Sequence, residues 1–195
     1  WKLPFVTAGV AFLTLLNLRG VKESVLLWVP VYFVFIATHA FVFLYVLVTQ
    51  FTGVVGATSS TVSEVHAATS QLGWFGMLAL LLKAYSMGAG TYTGIEAVSN
   101  GLPILREPRV ETGKRTMRYM GISLAVTVAG LLLCYLLMGV EPQQNKTLNA
   151  VLFERLTQNW PGATGFSFLQ ATLASEAALL FSAAQAGFLD GPRVL

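Results

Sequence analysis

Apolar residues along this chain run together in blocks of bilayer-crossing length, separated by polar or basic connections. A span needs about 20 predominantly apolar residues to cross a hydrocarbon core of about 30 Å, and five segments qualify or come close. The first, residues 4–18, is short, ends at "NLRGVKES" and is expected to be the remainder of a longer helix. The second, residues 24–48, is the clearest span, with Pro30 near its start, where a missing N–H is tolerated. The third, residues 74–105, is too long for one straight span. The fourth, residues 119–140, has 22 residues without a charge, about 33 Å at 1.5 Å per residue. The fifth, residues 165–189, is rich in Ala and Ser, which favour close helix packing over contact with lipid. Between the second and third lies the polar stretch "FTGVVGATSSTVSEVHAATSQ", where Thr61 and Glu64 have capping-box spacing and predict the start of a short surface helix.

The third block is interrupted by "GAGTYTGIEAVSNG", residues 88–101. Backbone that leaves the helix at membrane depth is tolerated only where it is buried in protein or lines a watery cavity, so a glycine-rich break there points to a cavity. Gly88, Gly90 and Gly94 ease unwinding, while Thr91, Tyr92, Thr93 and Ser99 bring hydroxyls. Freed carbonyls hold a cation, and the half-helix N-terminus beyond the break faces an anion. Glu96 follows Thr93 by three residues, so both side chains converge on one site if the second half-helix starts near Gly94. A carboxylate there pairs with a cation or takes a proton. The plainer reading has Glu96 tying helices together without touching substrate.

Other polar residues inside the spans are weaker candidates. Glu176, about halfway along the fifth span, is the second candidate for coupling, set against a protonated carboxyl bonded to a neighbouring helix. His39 in the second span relays protons or serves as a helix-to-helix hydrogen-bond partner, the second being favoured. Lys83 is expected to snorkel to the interface, and Ser182 and Gln185 line a pathway or merely pack.

Composition agrees with the blocks: 55% of residues are hydrophobic and 11% charged, against about 25% charged in a soluble domain. The net charge of +3 calls for no nucleic-acid partner; what matters is where the basic residues fall. Arg19 and Lys22 lie between the first two spans, Arg106, Arg109, Lys114, Arg115 and Arg118 between the third and fourth, and Arg193 after the fifth. The alternate connections carry none, or only Lys146 and Arg155. All heavily basic connections thus share one side, assigned to the cytoplasm. Cys134 lies in an apolar run as a small buried hydrophobe, so a disulfide framework or Cys-based metal site is not in view. No nucleophile–base constellation appears, and Glu64, His66 and Gln71 do not make one, so enzyme activity is the weakest class. The chain begins at Trp1 and shows no signal-peptide pattern, from which a single transmembrane domain over residues 1–195, part of a longer protein, is expected.

"NLRGVKES" between two spans, "TGIEAVSNGLPILREP" followed by "KRTMR", and "GFLDGPRVL" closing a span resemble the amino acid-polyamine-organocation superfamily. Within it the likeness is greatest to the KimA-type potassium:proton symporters and related amino acid permeases, and it touches nearly the whole chain. The resemblance implies helices four to eight of a LeuT-type five-plus-five inverted repeat, with helix six broken. That placement agrees with the side assigned by the basic connections. It also implies that Thr93 and Glu96, from the TGxE motif, belong to the cation site, the remaining site residues coming from helices one and three, which this chain lacks. "GAGTYTG" departs from the potassium-transporter pattern, and Tyr92 offers an aromatic face for an organic substrate.

The expectation is therefore an all-α membrane protein, a partial LeuT-type bundle of about five transmembrane helices in the cell membrane, needing no cofactor. The site residues are Gly90, Thr91, Tyr92, Thr93 and Glu96, with Thr93 and Glu96 on potassium and Glu176 in coupling. The partners are potassium or an amino acid, protons and lipid, with a homodimer left open. Proton-coupled potassium uptake is favoured over proton-coupled amino acid uptake, and a non-transporting sensor or structural subunit is the alternative of another class.

Overall fold

A computed structural model describes residues 2–18, 21–88, 98–99 and 101–184. Those residues form helices and connections without a strand. In order they are α1 (Lys2–Leu18), α2 (Val21–Thr49), α3 (Gly53–Gly88), a 3-10 turn at Leu102–Ile104, α4 (Arg109–Met138), α5 (Leu148–Thr157) and α6 (Gly162–Ala183). Four stretches are long and apolar enough to cross a membrane, Leu26–Thr49, Gly53–Gly88, Arg109–Met138 and Gly162–Ala183, with Leu3–Leu16 a shorter apolar helix. Large side chains such as Phe5, Phe33, Leu44, Phe75, Leu81, Ile122 and Leu180 lie exposed along these helices. On a soluble protein such a surface would aggregate, but a bilayer solvates it. The chain is a multi-pass helical membrane protein.

Several predicted boundaries move. Pro30 falls well inside α2, not in its first turn. Ending the helix there would strand several backbone groups in an apolar medium, whereas proline forfeits one bond, to the Leu26 carbonyl. Helix α4 starts at Arg109, ten residues before Tyr119, so the basic run is the first part of a helix and not a loop. Lys and Arg are good helix formers, and Arg109, Lys114, Arg115 and Arg118 are all exposed there. Glu107 supports the start, its Oε1 lying 2.9 Å from Arg109 Nε. At the other end Gly139, left-handed at φ 59° and ψ 41°, donates its N–H back to the last turn and stops the helix.

The polar stretch is helical, but Thr61 does not open it. Helix α3 is already running at Gly53, and Thr61 Oγ1 donates to the Ala57 carbonyl, 2.8 Å away. Its neighbours do the same: Thr58, Ser59, Ser60, Ser63, Thr69 and Ser70 each donate to a carbonyl three or four residues back, at 2.7–3.0 Å. This local back-bonding is how hydroxyl side chains live inside a helix. The run is broken once, at Gly73 (φ 68°, ψ 170°), in a region of backbone space open essentially to glycine. The break falls where the polar stretch gives way to the apolar block starting at Trp74, so α3 is two helices, residues 53–72 and 74–88.

The chain divides into two compact units, one of Trp1–Val42 with Asn149–Leu195, the other of Phe43–Leu148. In the second, Cys134 is buried as a free thiol, as its apolar run predicts. The first is built on α5, a helix that the sequence reading missed. This ten-residue helix buries Val151, Leu152, Phe153, Leu156 and Thr157. Helix α6 meets it on a face of small residues, with Gly165, Thr172 and Ser175 buried. A Cβ on Gly165 would stand 3.0 Å from the Thr157 carbonyl oxygen, which is backbone and yields little. Gly165→Leu is expected to lower stability by about 1–3 kcal/mol, read as a fall in the thermal unfolding midpoint of the purified protein in detergent.

Candidate functional site

His39, Asn149 and Glu176 come from three helices of one unit, α2, α5 and α6, and meet at one oxygen. His39 is 7% exposed. Its ring lies 4.0 Å from that of Phe35, one turn earlier, and takes the edge of Phe153 of α5 at 5.4 Å and 88°. These aromatic walls leave both ring nitrogens defined partners. Nδ1 is 2.8 Å from the Phe35 carbonyl oxygen, and Nε2 is 3.0 Å from Glu176 Oε1. Asn149 Nδ2 donates to the same Oε1 at 2.6 Å.

The protonation chemistry follows from the partners. A carbonyl oxygen only accepts, so Nδ1 carries a hydrogen and donates it. Thr38 Oγ1, 3.5 Å from Nδ1, does not compete, because it donates to the Val34 and Phe35 carbonyls at 2.9 and 3.0 Å. With Nδ1 committed, Nε2 is a bare lone pair in the neutral ring and a donor in the cation. A carboxylate at 3.0 Å also presents lone pairs. One further proton must therefore stand between Nε2 and Oε1, on the ring as an imidazolium or on the carboxyl as an acid. Both forms leave the pair with no net charge, the inexpensive state for a polar group 7% and 15% exposed on its two sides.

The surroundings of Glu176 on its own helix are quiet. Thr172 Oγ1 donates to the Phe168 carbonyl and Ser175 Oγ to that of Thr172, at 2.8 and 2.7 Å. Ser182 Oγ donates to Leu179 at 2.8 Å, which reads as packing rather than a pathway. Gln185 lies outside the described residues, and Lys83 is exposed, as snorkelling requires. Among the described residues no three His, Cys, Asp or Glu side chains gather as metal ligands would.

Of the predicted site, Gly90, Thr91, Tyr92, Thr93 and Glu96 lie outside the described residues, as does the predicted break in the helix. Glu176 is described, and the structure joins it to His39, two residues that the sequence offers separately. Asn149 was not singled out. Its signal is faint: it opens the amphipathic run "NAVLFERL", separated from the polar "EPQQNKT" by Leu148 alone.

Over 149 residues, 76% of the chain, the sequence is 31% identical to the potassium transporter KimA of Bacillus subtilis (strain 168). The matched stretch is 24% of that protein, so the chain spans about a quarter of the length of the curated relative it matches. No protein-family model matches the chain, and no solved structure does.

Proposed function

We propose that this chain is the part of a secondary active transporter that takes up potassium together with protons by alternating access. The observation carrying this reading is the 31% identity to a potassium transporter over three quarters of the chain. The four membrane-length apolar stretches support it, as does the interrupted segment "GAGTYTGIEAVSNG". In this reading the five apolar blocks are helices four to eight of a LeuT-type inverted repeat of the amino acid-polyamine-organocation superfamily. The heavily basic connections face the cytoplasm, and the protein sits in the cell membrane. Carbonyls freed between Gly90 and Thr93, with the Thr93 hydroxyl, replace the water shell of potassium, and Glu96 balances its charge. Tyr92 supplies an aromatic wall beside the ion. Glu176 belongs to the coupling machinery.

Since the matched stretch covers about a quarter of the relative's length, the test uses the full-length protein containing this chain. Expression in a strain deficient in potassium uptake is expected to restore growth at low potassium. Failure to restore growth, together with saturable uptake of an amino acid by the same protein, would sink the potassium assignment in favour of an amino acid permease.

A further inference from the structure

We propose that His39 and Glu176 form a membrane-embedded site that binds and releases one proton, with Asn149 holding the carboxylate from α5. The geometry requires a single proton between Nε2 and Oε1, because Nδ1 is already committed to the Phe35 carbonyl. Adding that proton to a neutral ring and a carboxylate gives imidazolium with carboxylate, or neutral ring with carboxylic acid. Removing it leaves one negative charge and two sets of lone pairs 3.0 Å apart. Asn149 Nδ2–H, at 2.6 Å from Oε1, stabilises that deprotonated state and keeps the carboxylate aimed at His39. The site therefore has two states that differ by one proton: with it the His39–Glu176 bridge is made, and without it the carboxylate keeps the hydrogen bond from Asn149. An ordinary buried polar bridge has one.

Among the described residues, the ion pair and the side-chain hydrogen bonds of His39 and Glu176 involve no further ionisable side chain. Between Leu3 and Leu18, α1 carries none. In α2 the unit adds Lys22 and Glu23 in the first turn, more than four turns before His39, and Tyr32, two turns before it and 47% exposed. In α6 Glu176 stands alone. In α5 Glu154 and Arg155 follow Asn149 by five and six residues, about 140° and 120° around the helix from it.

Coupling this proton to cation movement rests on the transport reading; proton binding does not. Glu176→Gln is the discriminating variant, because it keeps the size of the side chain and an amide oxygen that can accept from Asn149 at the Oε1 position. The carboxyl that shares the proton with Nε2 is gone. In acid-minus-base infrared difference spectra of the purified full-length protein, wild type is expected to show paired carboxyl and imidazole bands. Both vanish in Glu176→Gln and in His39→Gln, while unfolding midpoints show that the variants are folded. In proteoliposomes, potassium accumulation driven by an imposed pH gradient falls to background in Glu176→Gln. Identical difference spectra in wild type and Glu176→Gln overturn the proton site whatever potassium does. A wild-type protein that moves no potassium overturns the transport reading instead, and the spectra still decide the site.

Discussion

Glu96→Gln in the full-length protein is expected to reduce potassium uptake to background, the largest single effect that the proposed reading implies. The change keeps size and hydrogen-bonding reach and removes one negative charge from beside the ion. A cation stripped of water at the centre of a bilayer depends on such a charge: at about 4 Å and an effective dielectric near 20 the attraction is about 4 kcal/mol. Its loss weakens binding on the order of a thousandfold. Tracer flux into proteoliposomes, compared at matched protein content, measures it, with Thr93→Ala as a milder companion that removes one ligand and no charge. Flux near the wild-type level in Glu96→Gln would refute the site assignment.

The second large effect is on stability. In Glu176→Leu the Asn149 amide loses an acceptor, and Nε2 of His39, now neutral, has nothing to bond in a pocket walled by Phe35 and Phe153. An orphaned buried polar group costs about 1–3 kcal/mol, and His39, 7% exposed, becomes one, so the loss should exceed that of a surface substitution severalfold. Adding His39→Leu relieves one orphan and is expected to recover part of the loss. Thermal unfolding of the single and double variants in detergent tests this. Strict additivity of the two substitutions would mean that they do not interact.

The apolar blocks were legible in the sequence because lipid imposes a length and a composition on any crossing segment, and residues 24–48 and 119–140 needed nothing more. Edges were less so. The helix that holds Tyr119 starts at Arg109 because long basic side chains reach water from a helix as readily as from a loop. The pairing of His39 with Glu176 spans 137 residues, and no local pattern encodes which faces of two distant helices meet. Helix α5 escaped because its ten residues are too short for a span and lie beside polar neighbours. The Gly90 to Glu96 candidate rests on sequence chemistry and on the resemblance, since those residues lie outside the described part.

The hydroxyl-rich half of α3 carries a consequence for how this protein meets lipid. Counted by letters, residues 53–72 look water-loving, yet seven of their hydroxyls have already spent their hydrogens on carbonyls of the same helix. A donor so occupied has little left to lose on leaving water. Apart from Glu64, His66 and Gln71, the outer surface of this segment is chemically close to that of an alanine helix. A scale that charges each serine and threonine for a free hydroxyl therefore overstates its transfer energy, and the segment can rest among headgroups and acyl chains while Gly73 redirects the chain into the span that follows.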